Sequence, residues 1–310
     1  MYAKPRRSLA LAVLKLTGYL IALAAAGLLL APLLHASLSA LLDLGREVPD
    51  LDLKRVLVEG VSLLGAVLAA SAYGLWVVEP RPWRSLGLRW HPRAALEIAL
   101  GVGLAAGLLA LVWVVDGLWS LGVQAQPWSW PTAQLDVQRW PAVLLLMLLV
   151  AVNEELMVRG VPLQLLIRYL GPCAGVVVTS LIFGLLHITG DAWNAAVVAL
   201  DTGFTGALLA LAYLRTRALW MPIGLHFGNN FLLFVLENPS LEQLNFIPPE
   251  ISQSAFWGWW LVNFPAYVLA LFWLLRWRYR ADPQLEALYQ RHVAPLADTW
   301  QAEQTTDAGP

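Results

Sequence analysis

Long apolar segments recur along the chain and are separated by short polar connections. Each is close to the roughly 20 residues that a helix needs to cross a bilayer. The eight segments cover residues 9–34, 57–78, 95–119, 141–165, 172–188, 193–214, 218–236 and 256–275. This pattern predicts an all-α polytopic membrane protein with about eight transmembrane helices.

The composition agrees with the apolar pattern and excludes several classes of protein. Hydrophobic residues make up 59% of the chain and charged residues only 13%, whereas soluble domains carry about 25% charged residues. This deficit excludes a soluble enzyme, a disordered protein and a nucleic-acid binder with a basic face. The formal net charge of −1 implies no strongly charged partner. The high apolar content predicts that the protein is surrounded by the lipid bilayer.

The basic residues predict how the chain is oriented. With a cytoplasmic N-terminus, fourteen of the 20 Lys and Arg residues fall in inner segments and four in outer ones, as the positive-inside rule requires. The first apolar segment is too long for a signal peptide, so it is predicted to remain as a span. We therefore expect a multi-pass protein of the cell membrane with both termini in the cytoplasm.

Ionisable residues inside spans are costly, and they usually mark a functional site. On the fourth segment, Glu154 and Glu155 are adjacent, so their side chains diverge by about 100° on a helix. Glu155 and Arg159 are four residues apart and can form an ion pair. Glu154 then has no partner on its own helix, which suits a general base or acid.

Two further segments carry polar pairs at helical spacing. Phe183 and His187 are four residues apart, and so are His226 and Asn230. At 1.5 Å per residue, Glu154 and these three polar residues lie about 12–22 Å from the predicted inner ends of their helices. That depth is the middle of a roughly 30 Å hydrocarbon core. The His226 and Asn230 face can hold an oxyanion, ligate a metal or link helices.

Three motifs therefore occur in order on separate predicted helices. They are Glu154-Glu155-Leu-Met-Val-Arg159, Phe183-Gly-Leu-Leu-His187 and His226-Phe-Gly-Asn-Asn230. Together they resemble the CPBP family of membrane proteases, with its E-E-x-x-x-R, F-x-x-x-H and H-x-x-x-N patterns. That family includes type II CAAX prenyl endopeptidases and bacteriocin-processing proteases.

The resemblance implies intramembrane hydrolysis of a peptide bond. By analogy, Glu154 and His187 activate a water molecule. The same analogy implies that His226 and Asn230 stabilise the tetrahedral oxyanion. Glu155 and Arg159 then fix the helix and the pocket, and Phe183 shapes the pocket wall.

The family is often described as metalloproteases, so a metal is an open question. The chain has no H-E-x-x-H motif, and we favour chemistry without a cofactor. The alternative is a zinc ion held by Glu154, His187 and His226.

The organisation follows from the motifs. Residues 1–140 are predicted as an N-terminal three-helix membrane region and 141–237 as the CPBP catalytic core. Residues 238–280 form the last loop and transmembrane helix, and 281–310 a polar cytoplasmic tail that is expected to be frayed. On the third segment, Gly103 and Gly107 form a G-x-x-x-G pattern that predicts close packing between helices and also fits dimerisation.

The sequence leaves two other functions open. A proton-coupled transporter can use Glu154, His187, His226 and Asp201 as a titrating path. A non-catalytic scaffold or immunity protein can keep the same fold. For the protease, the predicted substrate is a membrane-associated or lipid-modified peptide or protein cleaved near its C-terminus, and the sequence does not decide whether it is prenylated.

Overall fold

The computed structural model describes residues 8–44, 52–122, 140–188, 192–237 and 253–296. Within these ranges the regular structure is entirely helical, which confirms the predicted all-α class. The α-helices are α1 Leu9–Ala25, α2 Ala31–Leu41, α3 Leu53–Tyr73, α4 Ala94–Gly122, α5 Trp140–Glu155, α6 Pro162–Leu170, α7 Pro172–Leu186, α8 Ala192–Thr216, α9 Trp220–Glu237, α10 Gln253–Arg276 and α11 Pro283–His292. π-Helical turns at Ala26–Leu30, Gly74–Val78 and Leu156–Gly160 and a 3-10 turn at Trp83–Leu86 extend or connect them.

Five helical stretches in the described residues are long and apolar enough to cross a membrane by length and composition. They are Leu9–Leu41, Leu53–Val78, Ala94–Val115, Trp140–Leu170 and Ala195–Thr216. Pro172–Leu186 and Phe264–Arg276 are shorter apolar helices. The protein is therefore a multi-pass membrane protein, while the count of about eight spans and the orientation of the termini stay predictions.

Glycines allow the helices around the polar motifs to approach each other closely. A Cβ added at Gly224 of α9 would lie closer than 3.0 Å to the carbonyl oxygen of Ile98 on α4. Gly101 of α4 lies in the same way against the backbone of Met221. Small residues permit such backbone contact between membrane helices, so the position of α9, with His226 and Asn230, depends on them.

The same kind of contact sets α7 against α8. A Cβ at Gly184 of α7 would meet the carbonyl oxygen of Ala199 on α8 at less than 3.0 Å. This contact holds the end of α7, where Phe183 and His187 lie, against the helix that carries Asp201. Four helices, α5, α7, α8 and α9, thus bring the polar motifs to one region of the fold.

Gly103 and Gly107 do not pack against another helix in the described parts of this chain. Both residues are exposed, and a Cβ added at either would meet nothing within 4 Å. The packing face of α4 instead runs through Gly101 and Ala105, and Ala105 lies against Gly228 of α9. Positions two residues apart are rotated by about 200° on a helix, so the G-x-x-x-G pattern lies on the opposite face.

The expectation of a frayed polar tail is wrong for residues 283–292, which form α11. This helix is amphipathic and buries Leu285 and Tyr289 against the core. Arg217 binds Glu286 at 3.0 Å between Nε and Oε2, and its guanidinium lies 3.6 Å from the centroid of the Tyr289 ring. Burial alone would raise the pKa of Glu286, but hydrogen bonds from Gln290 and Arg217 hold it below its usual range. Residues 297–310 of the predicted tail lie outside the described residues.

We expect Gly224→Ala to destabilise the protein and Gly103→Ala to leave it unchanged or slightly more stable. The added methyl group collides with the α4 backbone at Gly224, and overpacking of this kind costs about 1–3 kcal/mol. At Gly103 the same methyl group meets open space and improves helix propensity by up to about 1 kcal/mol. Thermal unfolding in detergent measures the difference, and equal Tm values for the two variants would contradict the packing of α4 on α9.

Candidate active site

Helix α5 ends at the paired glutamates and passes into a π-helical turn. Glu155 is the last residue of α5, and the turn spans Leu156–Gly160. Such π-bulges are frequent at functional sites. The two carboxyl groups diverge as predicted: the Glu155 side chain is 0% exposed, whereas that of Glu154 is 24% exposed and faces a cavity.

A fully buried ion pair lies behind this turn. Arg159 Nη1 donates to Glu155 Oε1 at 2.9 Å, and both side chains are 0% exposed. Arg159 Nη2 donates to the Gly206 carbonyl of α8 at 3.0 Å. The guanidinium also lies 4.4 Å from the centroid of the Phe183 ring on α7. Arg159 therefore connects three helices, and its charge is balanced by Glu155.

The Glu155 carboxylate also holds an imidazole on α9. His226 Nδ1 lies 2.9 Å from Glu155 Oε1, the same oxygen that accepts from Arg159. A carboxylate only accepts hydrogen bonds, so Nδ1 carries the hydrogen. Nε2 of His226 is then the atom that faces the cavity, and it lies 3.7 Å from Glu154 Oε2.

The end of α7 orients His187 in the same way as His226, with Nδ1 bound by the protein and Nε2 facing Glu154. The helix ends at Leu186, and the backbone N–H of His187 donates to Gly184 at 3.1 Å. This tightened last turn leaves the Phe183 carbonyl free for the side chain of His187, whose Nδ1 lies 2.7 Å from it. His187 Nε2 is left facing Glu154 Oε2, again at 3.7 Å.

Glu154 Oε2 therefore lies between two imidazole nitrogens at equal distances of 3.7 Å. This distance is longer than a hydrogen bond, and the oxygen is buried without a hydrogen-bond partner. When both imidazoles are neutral, all three atoms are acceptors. These three acceptors then need a hydrogen-bond donor, which a water molecule can supply. The alternative donor is one of the imidazoles in its protonated state.

Asn230 lies one helical turn beyond His226 on α9 and is 8% exposed. Asn229 Nδ2 donates to Asn230 Oδ1 at 3.4 Å. Because this contact engages the carbonyl end of the Asn230 amide, the Nδ2 end is the group left to donate into the cavity. Phe183 completes the wall, with its ring centroid 4.6 Å from that of His187 and 5.9 Å from that of His226.

A cavity of about 320 Å³ joins these groups. Its lining comes from α5, α7, α8 and α9 and comprises Leu146, Met147, Val150, Glu154, Phe183, Leu186, His187, Asp201, Thr202, Thr205, His226, Asn229, Asn230 and Leu233. Five of the seven predicted site residues are among them, and the remaining two, Glu155 and Arg159, lie behind the wall. An apolar pocket with a few convergent polar groups is the usual form of a substrate site.

Four polar residues of the site were not predicted from the sequence. Asn229, Thr202 and Thr205 line the cavity, and Tyr267 of α10 donates a hydrogen bond to Asp201. The spacing of Asp201, Thr202 and Thr205 on one face of an apolar helix was an available signal. The sequence carried no comparable signal for Tyr267, because its role depends on contact with Asp201, which lies 66 positions earlier in the chain and on another helix.

The zinc alternative requires Glu154, His187 and His226 to form a metal centre. Two imidazoles and a carboxylate are the right type of ligands. Within the described parts of the chain, however, no group of three or more His, Cys, Asp or Glu side chains is arranged to hold a metal ion.

Residues 136–232 match the family model described as type II CAAX prenyl endopeptidase Rce1-like. The match covers slightly less than one third of the chain and contains all three motifs. It supports the CPBP family that the motifs predict and, in general, hydrolase activity of the protease class. No curated protein matches this chain.

We expect Arg159→Ala to destabilise the protein severely. The substitution leaves the buried Glu155 carboxylate without its cation, and removing one partner of a buried pair costs about 3–5 kcal/mol. Glu59→Ala is the control, because Glu59 is exposed and its pair with Arg55 on α3, at 2.9 Å, is worth at most about 1 kcal/mol. Tm and the yield of monodisperse protein in detergent measure both effects, and similar losses in the two variants would contradict the importance of the buried pair.

Proposed function

We propose that the protein is an intramembrane endopeptidase of the cell membrane. Its substrate is a membrane-associated or lipid-modified peptide or protein, cleaved near its C-terminus. The observation that carries this proposal is the placement of Glu154 Oε2 between two oriented imidazole nitrogens in a cavity. The family match supports the protease class, and the geometry suggests how the chemistry proceeds.

The proposed first step is activation of water. A water molecule in the gap beside Glu154 Oε2 donates one hydrogen to the carboxylate and contacts His187 Nε2. Glu154 takes the proton as the water oxygen attacks the carbonyl carbon of the scissile bond. General-base assistance of this kind contributes roughly 10²–10⁴-fold to the rate.

The developing oxyanion needs hydrogen-bond donors. Asn230 Nδ2 is one donor in the proposal, and the protonated Nε2 of His226 is the other. The Glu155 carboxylate at Nδ1 orients this imidazole, as carboxylates do for catalytic histidines. Preorganised donors in a water-poor cavity stabilise such a transition state strongly.

Collapse of the tetrahedral intermediate completes the proposed reaction. The carbon–nitrogen bond breaks, and the proton held by Glu154 passes to the departing amine. One product carries the new carboxyl group, which keeps the oxygen and the second hydrogen of the water until it ionises, and the other carries the new amine. Glu154 returns to its carboxylate form for the next turnover.

We expect Glu154→Gln to abolish cleavage while the fold is retained. The amide is nearly isosteric with the carboxyl group and cannot accept the proton, so activity should fall by roughly 10²–10⁴-fold. New peptide termini are compared in membranes that contain either wild-type protein or the variant at equal levels. Termini that depend on wild type both establish proteolysis and identify substrates.

The control for this comparison is Glu59→Gln, which removes an exposed carboxylate of α3. Its profile of termini should match that of the wild type. Identical profiles for wild type and Glu154→Gln would contradict the protease. Ion flux in vesicles or stable partner binding would then favour the transporter or the scaffold.

Metal chelation tests the cofactor prediction. We expect purified protein to keep its cleavage rate after treatment with a strong zinc chelator, because the proposed water activation uses Glu154 and His187 alone. Cleavage of a peptide identified in the previous experiment is the measurement. Loss of activity that added zinc restores, and that magnesium does not, would contradict the metal-free mechanism.

A further inference from the structure

The α8 wall of the cavity carries a third carboxyl group that the proposed hydrolysis does not use. Asp201, Thr202 and Thr205 all line the cavity. The hydroxyl of Thr202 donates to the carbonyl of Val198 in its own helix, so it is engaged. Asp201 is the charged group of this wall, and a carboxyl group within a membrane span is costly enough to indicate a function.

A chain of hydroxyl groups fixes the Asp201 carboxyl group in place. The Tyr267 hydroxyl donates to Asp201 Oδ1, and Thr205 Oγ1 lies 3.3 Å from the Tyr267 hydroxyl. Because Tyr267 gives its single hydrogen to Asp201, the hydrogen between the two hydroxyls comes from Thr205. The carboxyl group is thus supported from α8 and α10 and held as an acceptor.

Apart from the imidazoles of His187 and His226, the ionisable groups that line the cavity are acidic. Its described lining contains the acids Glu154 and Asp201 and no Lys or Arg. The nearby Arg159 is fully buried behind the wall and balanced by Glu155. In the sequence, residues 218–275 contain three Glu and no Lys or Arg. A site with this balance attracts a basic group and repels an acidic one.

We propose that Asp201 is a specificity-determining residue that binds a basic side chain of the substrate next to the scissile bond. The inference rests on the proposed endopeptidase function. Asp201 Oδ1 is already held by Tyr267, so the carboxylate is oriented before the substrate arrives. Acidic residues at the same substrate position are disfavoured by the like charge of Asp201.

Synthetic peptides with a C-terminal farnesylated cysteine motif serve as the probe. In the parent peptide every residue except the farnesylated cysteine is norleucine, and mass spectrometry locates the bond that purified protein in liposomes cleaves. Lys or Glu then replaces the norleucine nearest to that bond, on one side or the other. We expect kcat/KM to be at least ~10-fold higher for the better Lys peptide than for the matching Glu peptide.

Asp201→Asn should lower kcat/KM for that Lys peptide by ~10-fold and leave the norleucine parent within about 3-fold of wild type. Asp201→Glu keeps the carboxylate and should keep the preference for Lys, and Glu59→Gln should change neither peptide. An equal loss for all peptides in Asp201→Asn would show a structural role and overturn the inference. A ratio near one between the wild-type kcat/KM values for the Lys and Glu peptides would also overturn the inference, and this test needs no variant.

Cleavage of the norleucine parent separates this inference from the proposed function. If neither the farnesylated parent nor its unmodified counterpart is cleaved by wild type, the proposed endopeptidase is overturned. If wild type cleaves the parent and Glu154→Gln does not, the endopeptidase stands. The Lys-to-Glu ratio then decides the role of Asp201 alone.

Discussion

One buried carboxylate oxygen holds the site together. Glu155 Oε1 accepts hydrogen bonds from Arg159 and from His226, both at 2.9 Å, inside a region with no exposure to solvent for Glu155 or Arg159. A buried charge without a partner is very costly, so each of these groups requires the other two. The consequence is that α5 and α9 are joined at one point, with His226 Nε2 facing Glu154.

Helix packing provides the second constraint. Gly101 and Gly224 allow the backbones of α4 and α9 to touch, and Gly184 does the same for α7 and α8. A Cβ at any of these positions would collide with the backbone of the facing helix. The π-helical turn after Glu155 then places Arg159 where it reaches both Glu155 and the Gly206 carbonyl. Preorganisation of the site thus depends on the backbone as much as on the polar residues.

The sequence predicted the helices and the polar residues because both leave local signals. Apolar length marks the helices, and charged residues within apolar segments stand out, as Glu154 and Arg159 do. Contacts between distant helices leave no such signal. The bond of His226 to Glu155 joins residues 71 positions apart, and Tyr267 reaches Asp201 across 66.

The expected packing of Gly103 and Gly107 within the chain and the expected frayed tail at residues 283–292 were wrong for a related reason. Gly103 and Gly107 have the spacing of a packing motif, but the spacing does not say which face of α4 meets α9. The residues of α11 are polar on average, yet Leu285 and Tyr289 share a face that docks on the core. In both cases the surface against which the helix packs decides which of its residues are buried. That surface is formed only in the folded protein.

The central claim is that both imidazoles are held through Nδ1 so that Nε2 faces Glu154. Nitrogen-15 NMR of histidine-labelled protein in lipid tests it, with the signals assigned by Glu and Gln substitutions at His187 and His226 among the five histidines of the chain. The account predicts a hydrogen on Nδ1 of both residues at neutral pH. A hydrogen on Nε2 together with a bare Nδ1, at either histidine, would contradict it.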